Sequence, residues 1–359
     1  MARFGIIGGG VYGTQVLKAY MSAHRNKEIE LVAIADINEE ILKKHCDKYN
    51  IRGYTDYITM IQKENLDAVA VVTPDYLHEE IAVKAASFGL HLLVQKPLDV
   101  TTSGALRIIK AAEENNVLLY VDFHKRFDPA HIQIKKDLQK GKLGKIEYGY
   151  AWMEDKITVP SVWFKKWACH SSPAWFLGIH FYDLLYWLLN SKPKRVYATA
   201  VKNKLSSMGI DTYDSVQAKV EFENETHFTF DTSWILPENF PSIVNQGLRL
   251  VGTKGIAEAD SQDRGVFIAS EEDNYPYLPN PFGFFEDNDV HAEAICRGYT
   301  IESMLYFTKL VNMLKDGSTL KDLKNLYPSG GEALVSTALC EAVNNSIMSG
   351  QIINLEWNR

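Results

Sequence analysis

Near the start of the chain stands Arg3-Phe4-Gly5-Ile6-Ile7-Gly8-Gly9-Gly10-Val11-Tyr12-Gly13, an apolar, β-branched run that ends in glycines and passes into helically spaced residues over 12–23. Gly8, Gly10 and Gly13 fit G-x-G-x-x-G, a pattern that is weak alone and gains meaning when it follows a strand and opens a helix, as here. Gly8 permits a tight turn, Gly10 lets the backbone approach a pyrophosphate, and Gly13 lets helix and strand pack closely. Val11 and Tyr12 begin the helix, whose unpaired N–H groups and positive dipole end suit phosphates. The next apolar run, 31–36, ends at Asp36, about twenty residues beyond Gly13, where a carboxylate accepts hydrogen bonds from ribose hydroxyls. Its charge repels a 2′-phosphate, and neither Ile37 nor Asn38 is the arginine that such a phosphate needs. The expected cofactor is therefore NAD rather than NADP.

Outward from this stretch the alternation continues. Apolar runs at 66–74, 91–97 and 117–123 alternate with helical segments at 39–49, 78–89 and 103–116. That order predicts a parallel sheet with right-handed crossovers, and near-continuous apolar strands predict cover on both faces. After Phe123 the grammar changes. Residues 130–140 and 181–189 read as helices, while 145–155, 194–203, 214–224, 226–236, 248–254 and 255–260 read as strands, mostly alternating apolar with polar residues. Such alternation is the sign of an antiparallel sheet with one covered face. Residues 261–288 read as an ordered loop and 290–350 as mostly helical. Two domains follow, 1–122 and 123–359, in keeping with a length of 359 residues.

Composition removes several classes. Hydrophobic residues at 46% and charged residues at 23% describe a globular chain rather than a disordered one. A net charge of −7 without a basic run makes nucleic acid a poor partner. No apolar stretch reaches the roughly 18 residues of a membrane span, and the N-terminus lacks the long apolar core of a signal peptide, so a cytoplasmic protein is expected. Cys46, Cys169, Cys296 and Cys340 are scattered without CxxC spacing. They read as buried free thiols, with neither a disulfide framework nor a metal site.

At Gln95-Lys96-Pro97 the chain begins to resemble the Gfo/Idh/MocA oxidoreductases, whose mark is Glu-Lys-Pro at a strand end; here the first residue is Gln. Thr73-Pro74-Asp75-Tyr76-Leu77-His78 is similar to the family's cofactor-lining loop, and Arg126-Phe127-Asp128-Pro129 to its entry into the second domain. Gly178-Ile179-His180-Phe181-Tyr182-Asp183 is similar to GxHxxD, and Leu250-Val251-Gly252-Thr253-Lys254-Gly255 to a late strand and turn. The resemblance implies an N-terminal Rossmann domain, then an α/β domain with a large, open, mainly antiparallel sheet whose open face often joins subunits. It implies a site between the domains over the nicotinamide. Thr73, Pro74, Leu77, His78, Gln95 and Lys96 are then expected at the cofactor, Lys96 and His180 at the chemistry, and Asp183 at the substrate or holding its helix. Relatives commonly place an Asp four residues before the His; this chain has Phe176.

Alcohol oxidation needs a hydride acceptor, which the cofactor is, and a proton acceptor, which the protein supplies. Lys96 at a strand's carboxyl end faces the ligand crevice of an open α/β sheet, and burial beside positive charge would help it release a proton. His180 is an imidazole that works as acid or base near neutral pH, though alone it reads as a core or capping histidine. Trp152, Trp163, Phe176 and other aromatics crowd 152–187, where flat rings suit the C–H faces of sugars; Asp155 and Lys166 offer polar contacts beside them. Each of these Trp residues reads equally well as packing. The expected function is an NAD-dependent oxidoreductase acting on a sugar, cyclitol or sugar derivative. The alternatives are an NAD-binding regulator without turnover and a redox-neutral, glycosidase-type enzyme on tightly held NAD. Val220, Phe222, Phe228 and Phe230 are expected on an exposed apolar sheet face, and with them a homodimer or homotetramer.

Overall fold

The structure, a computed structural model, describes residues 1–260, 266–270, 273–287 and 295–357. The chain divides into two compact units, residues 1–124 with 283–334, and residues 125–282 with 335–359. The first cut falls near the expected one. The segment 283–334, expected in the second domain, instead packs with the first, which corrects the simple division at residue 122.

The first unit opens with β1 (Ala2–Ile7), α1 (Val11–Arg25), β2 (Ile29–Ala35), α2 (Glu39–Tyr49), β3 (Arg52–Tyr54), α3 (Tyr57–Glu64), β4 (Ala68–Val71), α4 (His78–Ser87), β5 (His91–Val94), α5 (Thr102–Glu114) and β6 (Leu119–Val121). The six strands form one parallel sheet in the order β3-β2-β1-β4-β5-β6. The order reverses between β1 and β4, the point where open α/β sheets leave a crevice at their carboxyl ends. Helix starts follow local chemistry: the Asn38 side chain accepts from Glu40 N and Ile41 N, Asp56 from Ile58 N and Thr59 N, and Thr101 from Gly104 N. β3 and α3 were not expected from sequence; three residues and eight residues carry too little periodicity to stand out.

The second unit holds α6 (Pro129–Gln139), β7 (Ile146–Lys156), α7 (Ile179–Leu189), β8 (Pro193–Val201), α8 (Lys204–Ser207), β9 (Ser215–Phe222), β10 (His227–Leu236), β11 (Val244–Gly252) and β12 (Gly255–Asp260). The chain then adds β13 (Phe285–Asp287), β14 (Ile295–Arg297) and α9 (Tyr299–Lys315) to the first unit, before α10 (Gly330–Ser349) and β15 (Ile353–Asn354). The large sheet runs β12-β11-β7-β10-β9-β8-β15, antiparallel at every pair except β7 with β10, which are parallel. Of the expected loop 261–288, the parts 266–270 and 273–287 are described, and they hold an Ile268–Tyr277 bridge and β13. The rest of it, and 290–294 of the expected helical tail, lie outside the described residues.

One expectation about this sheet is overturned. Val220, Phe222, Phe228 and Phe230 are at most 1% exposed, so they form the covered face and not an open one. Phe230 meets Tyr182 of α7 edge-on at 4.9 Å, and Phe228 packs on both Phe222 and Phe230. The opposite face carries Tyr148, Tyr150 and Tyr197, all exposed, among charged residues. The thiols are free, but only Cys296 and Cys340 are buried; Cys169 is exposed. Among the described residues no helix is long and apolar enough to cross a membrane.

Candidate active site

The glycine loop follows from close backbone approaches. Gly8 has φ 103°, and its N–H donates to Ala35 O at 2.8 Å, tying the loop to the end of β2. A Cβ on Gly8 would lie 2.6 Å from Val72 O, and one on Gly13 would lie 2.1 Å from Gly8 O; backbone atoms cannot swing aside. Gly10 differs, since a Cβ there would meet nothing within 4 Å. Its open side faces the head of α1, where no side chain caps the first-turn N–H groups. Val11 and Ile37 are exposed beside this loop. Asp36 accepts from Gly9 N at 2.7 Å and from Asn38 N at 2.8 Å. A carboxylate has about four acceptor positions, which leaves capacity for two ribose hydroxyls. The loop is braced from behind by His45, which sequence reasoning missed: it is buried on α2 with Nε2 2.8 Å from Gly9 O.

The ends of β4, β5 and β6 complete the first unit's cluster. Thr73, Pro74 and Leu77 keep some exposure, and Thr73 Oγ1 is a buried atom without a hydrogen-bond partner among the described residues. His78 is expected to line the cofactor but is 1% exposed, with Nδ1 2.8 Å from Pro97 O and Nε2 3.0 Å from Thr73 O. It pins the two loops to each other instead. Lys96 is half-buried beside a cis bond to Pro97. Gln95 is buried and donates to Asp122 Oδ2 at 2.5 Å, as Tyr12 OH does at 3.2 Å. The Tyr12 hydroxyl is thus engaged by Asp122, and burial followed by the charge of Asp122 pushes it well up from its ordinary range. Lys96 has the negative Asp122 within electrostatic reach, where positive charge was expected.

The second unit supplies the other expected residues. His180 is 5% exposed in the first turn of α7, which grows out of a wide helical turn over Ala174–Gly178. Phe176 in that turn packs with Trp167 at 5.3 Å, Phe164 at 5.5 Å and Trp234 at 5.7 Å. An aromatic cluster therefore surrounds position 176, where the resemblance implies an acid. Asp183 is not poised for substrate: it is 1% exposed and clasped in bidentate fashion by Arg126, Nε to Oδ2 at 2.8 Å and Nη2 to Oδ1 at 2.6 Å. Asp155 is buried on the covered face of the sheet. Trp152, three residues earlier, lies on the other face, stacked on Tyr150 at 5.3 Å and covering Gly247. It cannot share a pocket with Asp155, which corrects its expected substrate contact. Trp163 and Lys166 are exposed on the segment between β7 and α7. Sequence reasoning also missed Lys125, a buried cation that donates to Gln246 Oε1 and sits 4.7 Å over the Phe181 ring. Its place next to Arg126, in a segment already singled out, was the available signal.

No group of three or more His, Cys, Asp or Glu side chains among the described residues is disposed to hold a metal. The first unit does fit a dinucleotide: an uncapped helix head, an open glycine, a strand-end carboxylate and the unsatisfied Thr73 hydroxyl lie at the carboxyl edge of one sheet.

Residues 2–123 match the family described as "Oxidoreductase family, NAD-binding Rossmann fold", and residues 131–258 match "GFO/IDH/MocA C-terminal domain". The inositol 2-dehydrogenase of Rhizobium meliloti is 24% identical over 357 residues, covering 98% of this chain and 99% of that protein. The crystal structure of myo-inositol 2-dehydrogenase from Lactobacillus plantarum shares the fold with a TM-score of 0.80 at 19% identity, covering 99% of each chain. That of scyllo-inositol dehydrogenase from Lactobacillus casei, with bound NAD(H) and scyllo-inositol, does so with a TM-score of 0.78 at 16% identity and 99% coverage of both.

Proposed function

Because the chain belongs to the Gfo/Idh/MocA family of NAD-binding oxidoreductases, we propose that it passes a hydride between NAD(H) and a hydroxyl-bearing or keto carbon of a cyclitol, sugar or sugar derivative. The observation that carries this reading is the cluster at the carboxyl edge of the first sheet. There Asp36 holds the glycine loop, and Asp122 touches Tyr12 and Gln95 within electrostatic reach of Lys96. Full-length similarity to an inositol 2-dehydrogenase supports a cyclitol as the first substrate to try. Residues 8–13, Asp36 and the 73–77 loop hold the dinucleotide. When bound, the nicotinamide supplies the hydride acceptor or donor. Lys96 donates hydrogen bonds to the substrate oxygen, and His180 takes or gives the proton.

The test is absorbance at the reduced-nicotinamide band with a panel of inositols, sugars and sugar acids, run with NAD and with NADP. Turnover with NAD on at least one cyclitol or sugar is expected. The Asp36→Ala variant loses about ten- to a hundred-fold in NAD(H) affinity, with a narrower gap to NADP(H). Tighter NADPH than NADH binding by the unaltered protein would overturn the cofactor assignment. Phe176 favours a second reading, an NAD-binding protein without turnover; NADH binding with no turnover across the panel would support it. Absorbance of the purified protein at that band would point to the redox-neutral enzyme.

A cytoplasmic setting accords with the free thiols and with a soluble cofactor. A homodimer or homotetramer also belongs to this reading. It rests now on the exposed Tyr148, Tyr150 and Tyr197 face of the large sheet, since the residues first expected there are buried. Light scattering of a monomer at micromolar concentration would refute it.

A further inference from the structure

Asp122 is a buried carboxylate to which the proposed chemistry gives no task. Asp122 follows β6 and is 0% exposed, and its neighbours donate to it: Gln95 Nε2 and Tyr12 OH to Oδ2, and Ser303 Oγ to Oδ1. A carboxylate taken out of water costs several kcal/mol unless it is paired and hydrogen-bonded. Three donors and the nearby Lys96 ammonium meet that need. Burial pushes the Asp122 carboxyl up from its ordinary range, while those hydrogen bonds and Lys96 pull it back. Gln95 carries an amide where the resembling family carries a carboxylate. Were residue 95 acidic, two carboxylates would meet at hydrogen-bond distance in a dry site and one would have to hold a proton. Here the single carboxylate comes from the end of β6 and the amide from the end of β5.

We propose that Asp122 is a positioning residue for Lys96: it holds the Gln95 amide and the Tyr12 hydroxyl on one oxygen and keeps an opposite charge beside the ammonium, so that Lys96 meets the substrate as a hydrogen-bond donor. The proposal rests on Lys96 being the substrate-orienting residue of the proposed function. Other titratable groups face the same spot. From α1 come Tyr12 and Tyr20; from the segment after β6 comes His124, with Nδ1 3.3 Å from Tyr12 OH. Tyr299 of α9 acts on Tyr12 and stacks on His124, and Tyr120 reaches Ser303 at 2.9 Å. None of these groups is a carboxylate, and Asp122 is a charge within electrostatic reach of Lys96.

The experiment compares the full chain with Asp122→Asn, Gln95→Glu and the pair of changes together. It reads kcat, NADH affinity, thermal melting, and the pH profile of Lys96 acetylation by acetic anhydride, followed by mass spectrometry. Asp122→Asn is expected to lower kcat at least about ten-fold with NADH affinity within about three-fold. Losing the opposite charge makes the ammonium easier to deprotonate, so Lys96 becomes reactive at a pH lower by roughly one unit. Adding Gln95→Glu to Asp122→Asn returns one carboxylate and one amide. That is expected to bring back the acetylation profile, and kcat to within about three-fold. An acetylation profile unmoved by Asp122→Asn overturns the proposal whatever kcat does, as does a folded double variant that recovers neither readout. Should Asp122→Asn fail to fold, the double variant decides alone: a Lys96 profile like the unaltered protein's supports the proposal and a displaced one overturns it. Acetylation needs no substrate. A protein that turns over nothing in the panel therefore refutes the proposed function, while the acetylation profile still decides whether Asp122 acts on Lys96.

Discussion

Lys96→Ala lowers kcat at least about a hundred-fold, and so does His180→Ala, while NADH still binds. The expectation follows from how few groups are available for proton movement. Position 176 carries a phenylalanine locked among Phe164, Trp167 and Trp234, which can neither accept a proton nor stabilise an imidazolium. Asp183, next along α7, is committed to Arg126. General acid–base assistance contributes typically 10²–10⁴-fold, and with no second carrier at position 176 its loss is not made good. In the proposed function NADH is held mainly by the glycine loop, the head of α1 and Asp36, none of which these changes touch. Steady-state absorbance gives kcat and a fluorescence titration gives the NADH affinity. A large loss in Asp155→Asn alongside a nearly neutral His180→Ala would transfer the proton to the buried Asp155.

Asp183→Asn costs about 3–5 kcal/mol of stability, because it removes a carboxylate that clasps the buried Arg126 guanidinium with two hydrogen bonds. The two side chains are 6% and 1% exposed and joined by two near-parallel hydrogen bonds, so solvent cannot replace the missing partner. Chemical denaturation measures the cost. A change below about 1 kcal/mol, the scale of a surface ion pair, together with a hundred-fold fall in kcat, would return Asp183 to the chemistry.

The nucleotide-binding unit was legible because its requirements are local. Strands buried on both faces must be apolar throughout, and a loop whose backbone passes 2.1 Å from a would-be Cβ must be glycine. β3 escaped because Arg52 and Gly53 are exposed and the strand is three residues long. In the second unit the alternation of β9 and β10 was plain, but alternation does not say which face is covered. Phe228 and Phe230 went to the wrong side for that reason, and Trp152 and Asp155 were assigned one pocket although three residues of strand put them on opposite faces. His78 and Asp183 were recognised as important, yet their partners are a carbonyl nineteen positions away and an arginine fifty-seven positions away, which spacing cannot reveal. Asp122 is not legible in the sequence, since an acidic residue after a strand is ordinary and its three donors come from distant positions.

The return of residues 283–334 to the first unit bears on how the chain is made. Phe307 of α9 packs edge-on against Phe4 of β1 at 5.9 Å, Asn312 accepts from Ala2 N, and Tyr120 of β6 bonds to Ser303. These partners are separated by some 180–310 positions. At about 5–20 residues per second, translation delivers α9 on the order of ten seconds or more after β6. During that interval the earliest-made sheet waits with Phe4 and Tyr120 unsealed while β7 to β12 of the large sheet are being synthesised. A ribosome-bound chain thus passes through a stage in which its oldest part is its least finished, and a gene cut after residue 124 would freeze it there.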